Sequence, residues 1–93
     1  MAYPTIQQIR NLIRTLNYVV STHAAEELED DNLSILDLES IILTGQIVER
    51  QRDVKTREIK NIVSGVTLDG SEAQAVIKIG LTGKLIVITV YVL

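Results

Sequence analysis

His23 is the single histidine in the 93-residue chain, which contains no cysteine. Imidazole is the one side chain that ordinarily gains and loses a proton near neutral pH, so His23 is the candidate general base. It falls in the first turn of a predicted helix. The alternative is that His23 hydrogen-bonds to nearby backbone and fixes the start of that helix.

Glu27 lies four residues after His23, on the same face of that helix. The carboxylate could orient the imidazole as its catalytic partner. It could equally form a surface pair that stabilises the helix by only about 0.3 kcal/mol. These two residues match no metal-binding motif, and a lone histidine cannot build a multi-histidine site within one subunit. The sequence therefore predicts no metal and no cofactor.

Tyr91 lies in the apolar segment 85–93, on the strand face that it shares with Leu85, Val87 and Thr89. Its phenol could belong to the core, with the hydroxyl at the rim. It could alternatively be a positioned acid or an anchor for a ligand. Tyr91 is therefore the second candidate catalytic residue.

Five basic residues lie within eleven positions in the second half of the chain. Arg50 and Arg52 are two residues apart and so share a strand face, where they could contact phosphates. The alternative is a charged, solvated hairpin that keeps a sheet edge from pairing with a neighbour. The basic residues are Arg50, Arg52, Lys55, Arg57 and Lys60, with Asp53 and Glu58 among them.

Local signals predict the helices that would position these side chains. Thr5 and Gln8 form a T-x-x-Q capping box at the start of a helix over 5–17. A second helix is predicted over 23–30, capped by Ser21 or Thr22. A third helix begins after Ser34. We expect it to end at Gly45, with positive φ there.

After Gly45 the apolar period changes from helical to alternating, which predicts strands. A short strand at 18–21 precedes four more at 46–52, 58–67, 73–79 and 85–93. In the first of these four, Ile47 and Glu49 should share a face. The last is apolar on both faces, so it should be a central strand covered on both sides. The fold class is α+β: two to three N-terminal helices packed on a four- to five-stranded antiparallel sheet, in a single domain over 1–93.

Composition narrows the function classes. Hydrophobic residues make up 46% of the chain and aromatic residues 3%, which predicts an aliphatic core. Seven acidic and no basic side chains lie between positions 23 and 48, and the net charge of −3 weakens the case for nucleic-acid binding. The first residues show no targeting signal, and the longest apolar run is too short for a membrane helix. We expect a cytoplasmic protein with no membrane partner.

Several short motifs resemble those of a widespread bacterial family of uncharacterised small domains. Ser21-Thr22-His23-Ala24 matches its S-x-H-A opening, Leu68-Asp69-Gly70 its L-D-G motif and Thr89-Val90-Tyr91 its T-V-Y motif. The resemblance covers 18–93, and the helix at 5–17 is an addition to this family core.

The resembled family is similar in layout to RelE-type and BrnT-type toxins of bacterial toxin–antitoxin pairs. This implies a RelE-like fold and a RelE-like endoribonuclease, or an inactive descendant of one. His23 and Tyr91 would then be catalytic, and Arg50, Arg52 and Arg57 would hold RNA. The implied partners are RNA and an antitoxin protein. The alternative function is a non-catalytic interaction or structural module that self-associates into a homo-oligomer.

Overall fold

The computed structural model describes residues 3–93. Met1 and Ala2, which open the segment predicted to lack a targeting signal, lie outside the described residues. Within 3–93, no helix has both the length and the apolar character needed to cross a membrane.

Three helices form where the capping signals predicted them: α1 (Ile6–Arg14), α2 (Thr22–Asp30) and α3 (Ile35–Thr44). The capping boxes of Thr5 with Gln8 and of Ser34 with Asp37 are both present, and Ser21 caps α2. Helix α1 is shorter than the predicted 5–17. Leu16 adopts a left-handed conformation with φ 59°, which ends the helix and turns the chain towards the sheet.

Five strands form one sheet: β1 (Tyr18–Val20), β2 (Gln46–Arg52), β3 (Ile59–Val66), β4 (Glu72–Ile79) and β5 (Leu85–Val92). Their order is β1-β5-β4-β3-β2. The pairs among β2, β3, β4 and β5 are antiparallel, whereas β1 pairs with β5 in parallel. The α+β class is confirmed, but the expectation of a purely antiparallel sheet is wrong. After α2 and α3 the chain enters the far edge of the sheet as β2, crosses it through β3 and β4, and returns as β5, which runs beside β1 in the same direction.

The helices cover only one face of the sheet. Helix α3 packs on β3 and β4, and α1 packs on α3 and β5. Helix α2 instead lies along β5, next to β1. The buried core between helices and sheet is aliphatic, as composition predicted. Its members are Ile9, Ile13, Ala24, Leu28, Leu38, Ile41, Ile42, Val63, Ala73, Ala75, Ile77, Leu85, Val87 and Val90.

Two β-bulges set which side chains face the helices. In β2 the register shifts between Ile47, which pairs with Val63, and Glu49, which pairs with Ile62. Ile47 and Glu49 therefore lie on opposite faces, contrary to the prediction, because an extra residue reverses the alternation. In β5 the second bulge lies around Ile88, and it puts Thr89 and Tyr91 on the opposite face from Leu85 and Val87, contrary to the prediction that these four share a face.

Strand β5 is paired on both sides but is not covered on both faces. Leu85, Val87 and Val90 are buried against the helices, whereas Thr89 and Tyr91 on the other face are half-buried. The expectation of a strand covered on both sides is therefore wrong. The far face of the sheet, which we call the open face, has no helix or strand over it among residues 3–93.

Gly45 ends α3 with φ −86°, so the predicted positive φ is wrong. Space rather than conformation requires glycine here. A Cβ at Gly45 would lie 2.5 Å from the Ile41 carbonyl oxygen and would overlap the Val63 side chain. The end of α3 therefore lies directly against β3.

Candidate functional site

Helix α2 begins against β5, and this contact sets the position of His23. The Ser21 hydroxyl accepts the Ala24 N–H at 3.0 Å and donates to the Ile88 carbonyl at 2.9 Å. The Ser21 N–H also donates to the Val87 carbonyl at 3.0 Å. His23 follows two residues later with 69% of its side chain exposed. Its imidazole is therefore held beside the sheet edge and open to solvent.

Glu27 lies between His23 and the edge of β5. Its Oε1 atom is 3.5 Å from His23 Nε2 and accepts the Val90 N–H at 3.0 Å. The Thr89 hydroxyl donates to the same oxygen. The side chain of Glu27 is only 25% exposed. The pair predicted from the four-residue spacing is therefore present, and its carboxylate is also bound to the sheet.

Tyr91 lies two residues beyond Thr89, on the same open face of β5. It pairs with Gln74 on β4, and its hydroxyl donates to Gln74 Oε1 at 2.5 Å. His23 contacts Glu27, Glu27 accepts from Thr89, and Tyr91 follows Thr89 two residues later, so both candidate residues lie in the region around the end of β5. We call this region the β5 corner and define it by His23, Glu27, Gln74, Thr89 and Tyr91.

Arg50 and Arg52 lie at the opposite edge of the sheet. They pair with Asn61 and Ile59, so both project from the face that the helices cover. The Arg50 guanidinium lies over the Tyr3 ring, 5.2 Å from its centroid. Strand β2 is three strand spacings from β5, roughly 14 Å. These two arginines therefore do not join His23 and Tyr91 in one site.

Arg57 lies in the loop between β2 and β3 and has φ 61°. With Arg52 and Val54 it lines a depression of about 530 Å³. It also lines a groove of about 1130 Å³ that runs along the turn between β4 and β5 to α1. Tyr91 is at the other end of the strands, since it pairs with Gln74 near the start of β4. Arg57 is therefore also distant from the β5 corner.

Two lysines share the open face with Tyr91. Lys78 on β4 pairs with Ile86, and Lys60 on β3 pairs with Gln51. The Lys78 ammonium is 2.9 Å from Glu58 Oε1. Gln74 and Lys78 are four residues apart on β4, so strand alternation puts both on this face, and this spacing is the signal by which the sequence could have shown a cation there.

An apolar band crosses the same open face. Ile62 on β3 pairs with Val76 on β4, and Ile86 on β5 pairs with Val19 on β1. Val19 is 45% exposed and the other three are half-buried. The open face therefore offers both apolar and cationic side chains beside the β5 corner. Among residues 3–93, no three His, Asp or Glu side chains group closely enough to hold a metal ion.

A family model described as a domain of unknown function (DUF4258) matches residues 20–92. The match spans α2, α3, the four strands β2 to β5 and every residue of the β5 corner. It confirms, at the level of the family, the predicted resemblance to uncharacterised domains. No curated protein and no solved structure matches the chain.

Proposed function

The chain belongs to the DUF4258 family, and from this premise we propose that it is a toxin-type endoribonuclease with its active site at the β5 corner. One observation carries the proposal. The exposed His23 lies beside the carboxylate of Glu27, which is hydrogen-bonded to β5 at Val90. Tyr91 is the next residue of that strand, and its hydroxyl is bonded to Gln74. Acid–base cleavage of RNA needs one group that takes a proton and one that donates a proton, and His23 and Tyr91 can fill these two roles.

The reaction that fits these groups is attack by a ribose 2′-hydroxyl on the adjacent phosphate. His23 takes the 2′-hydroxyl proton as the oxygen bonds to phosphorus. The bond from phosphorus to the 5′-oxygen breaks, and that oxygen takes a proton from the Tyr91 hydroxyl. The products are a 2′,3′-cyclic phosphate and a 5′-hydroxyl end. A positioned general acid or base contributes about 10²–10⁴-fold to such a rate.

RNA bound in this way would lie across the open face. Lys60 and Lys78 are the cations of that face, and the apolar band can contact ribose and bases. Arg57 lies at the far end of the face, where it could hold a phosphate further along the strand. Arg50 and Arg52 project from the other face, so RNA would have to pass around β2 to reach them. Their binding to RNA remains a prediction.

The acidic exposed side of α2 lies next to the proposed site and would repel phosphate. Glu26, Glu29 and Asp30 are exposed there. This repulsion would keep affinity for RNA low.

An inactive descendant would keep the fold and the β5 corner without cleaving RNA. An antitoxin protein is the partner that a toxin role implies.

The test is cleavage of a mixed-sequence RNA by the purified protein, with the 3′ ends analysed for cyclic phosphate. Changing His23→Ala or Tyr91→Phe should lower the rate about 100-fold or more. Thr22→Ala, an exposed neighbour of His23, is the matched control and should cleave normally. Expression should also arrest bacterial growth, and His23→Ala should relieve the arrest. Intact RNA with the wild-type protein, or full activity in His23→Ala, would overturn the proposal.

A second candidate function is supported by the apolar band of the open face. Val19, Ile62, Val76 and Ile86 could pack against the same band of a second copy, as in a non-catalytic self-associating module. Sedimentation velocity would then show a dimer that Val76→Lys converts to a monomer. Leu81→Lys is the matched control, since Leu81 is fully exposed in the turn between β4 and β5 and lies outside the band. A wild-type monomer at millimolar concentration would rule this function out.

A further inference from the structure

A single oxygen of Glu27 serves three groups. Oε1 accepts the Val90 N–H at 3.0 Å and the Thr89 hydroxyl, and it lies 3.5 Å from His23 Nε2. Two of these groups belong to β5, so the strand holds the carboxylate independently of the imidazole. Such an arrangement goes beyond the ordinary exposed pair that His23 and Glu27 could form on a helix surface.

The reason for this arrangement lies in the length of β1. Strand β1 pairs with β5 only as far as Val87, opposite Val20. Beyond that point the outer edge of β5 has no strand beside it, and the Val90 N–H would lack a partner in a nearly buried residue. Glu27 supplies the acceptor. The sheet backbone therefore holds the Glu27 carboxylate in place, and the same carboxylate is free to act on His23.

A negatively charged oxygen 3.5 Å from Nε2 attracts a proton on that nitrogen, so it favours the imidazole tautomer that carries its proton there. The other ring nitrogen, Nδ1, is then unprotonated on a side chain that is 69% exposed. We propose that Glu27 is the positioning residue of the centre, and that Nδ1 of His23 is the atom that takes the proton. This inference rests on the proposed function for its catalytic part only.

The test separates the two duties of Glu27. Glu27→Gln keeps an oxygen for the Val90 N–H, so its melting temperature should stay close to that of the wild type. The amide oxygen that stays in this place carries no negative charge, so it favours a proton on Nε2 less strongly than the carboxylate does. We expect kcat for RNA cleavage to fall about 100-fold with KM unchanged. Loss of the tautomer-fixing carboxylate costs about 10⁴-fold in the buried Ser-His-Asp triad, and Glu27 is more exposed.

Long-range ¹H–¹⁵N spectra of the imidazole provide a readout that does not depend on activity. The wild-type protein should show one tautomer, protonated on Nε2, and Glu27→Gln should show a mixture. Glu26→Gln is the matched control, because Glu26 is the exposed neighbour on the same helix. It should match the wild type in both kcat and tautomer.

A single Nε2-protonated tautomer and wild-type kcat in Glu27→Gln would overturn the inference and leave Glu27 a purely structural role. If the wild-type protein does not cleave RNA, the proposed function fails. The tautomer comparison would still decide whether Glu27 orients His23.

Discussion

Gly65 is the residue at which α3 comes closest to the sheet. A Cβ there would overlap the Ile41 carbonyl oxygen and lie 2.8 Å from the Thr44 hydroxyl. The first atom is backbone, and the second is held by hydrogen bonds to the Ser40 carbonyl and the Val66 N–H. We therefore expect Gly65→Ala to lower the free energy of unfolding by about 3 kcal/mol, at the upper end of the cost of overpacking.

Urea unfolding followed by circular dichroism would measure this loss. Gly80→Ala is the control, because its nearest neighbour would be the movable Cδ1 atom of Ile86. Equal stability of the two variants would show that α3 can move away from β3.

Tyr18 joins the first strand to α3. Its hydroxyl donates to Glu39 Oε2 at 2.6 Å. Desolvation by burial, with the hydrogen bond to the Glu39 carboxylate and its negative charge, raises the pKa of Tyr18 from 10.0 to about 12. Since the folded pKa is the higher one, the folded state holds this proton more tightly. The stabilisation is complete below pH 10 and is lost as the pH rises to about 12.

Tyr18→Phe should cost about 1 kcal/mol at pH 7, the usual value of such a hydrogen bond. The gap in unfolding free energy between the wild type and this variant should shrink between pH 10 and pH 12. Urea titrations at several pH values would measure the gap. A gap that is equally large at both ends of this range would show that the bond to Glu39 does not govern the titration.

At the residue scale, the sequence predicted which side chains could take part in chemistry better than it predicted which residues contact one another. The spacing of His23 and Glu27 was enough to place them together, because it lies within one helix. The hydrogen bonds from β5 to Glu27 could not be predicted, since their donors Thr89 and Val90 are more than sixty positions away. Gly45 was likewise assigned to the right helix end for the wrong reason, because its constraint comes from Val63 on another element.

The start of α3 and the turn between β3 and β4 are joined through one carboxylate. Asp37 accepts the Ser34 N–H at 2.8 Å within the helix cap and the Leu68 N–H at 3.0 Å in the turn. The backbone hydrogen bond from Ser34, followed by that from Leu68, lowers the pKa of Asp37 below 3.8. A lowered folded pKa gives stability that is present above pH 3.8 and is lost as the pH falls below it.

Asp37→Asn should therefore be less stable than the wild type at pH 7. It should also lose less stability than the wild type between pH 5 and pH 3. Unfolding in urea at these pH values would check both statements. Glu72→Gln, which changes an exposed carboxylate at the start of β4, is the control for the removal of a carboxylate. Identical acid sensitivity of Asp37→Asn and the wild type would contradict the assignment.

At the element scale, local signals carried the prediction. Capping residues predicted the starts of α1, α2 and α3, and the change of apolar period after Gly45 predicted the strands that follow. The bulges and the parallel pairing of β1 were missed. Both depend on which strand lies alongside, and that is decided by packing between distant parts of the chain.

Charge is divided across the whole molecule. The acidic α2 lies along β5, whereas the basic residues around Arg52 and Arg57 lie at the β2 edge. Helix α2 carries no basic residue in its last turn, so its carboxylates repel one another and the negative end of the helix. Its exposed acidic residues are Glu26, Glu29 and Asp30.

Salt should therefore stabilise this protein. Raising the NaCl concentration from about 0.01 M to about 1 M shortens the screening length from about 30 Å to about 3 Å. The melting temperature should rise by a few degrees. The double variant Glu29→Gln, Asp30→Asn should begin with a higher melting temperature and respond less to salt. Lys55→Gln on the opposite edge is the control, and a salt response unaffected by the double variant would contradict the explanation.

The packing of the elements explains how much of the candidate site could be predicted. His23 lies near β5, the strand of Tyr91, because α2 packs on that strand; that the two residues share a site stays a prediction. The separation of Arg50 and Arg52 from them follows from the strand order and the bulge in β2. Neither the strand order nor the bulge can be derived from spacing along the chain, so the distance between the arginines and His23 could not be predicted.

The pairing of β1 with β5 also bears on how the protein is synthesised. The hydroxyl of Ser21 donates to the carbonyl of Ile88, 67 positions later. At this point β1 ends and α2 begins to lie along the edge of β5. A nascent chain can form its helices early, but β1 and the start of α2 have no strand to bind until β5 has left the ribosome. Contacts of such long range slow folding. During that delay the acidic residues of α2 would keep the unfinished edge soluble and discourage association with other nascent chains.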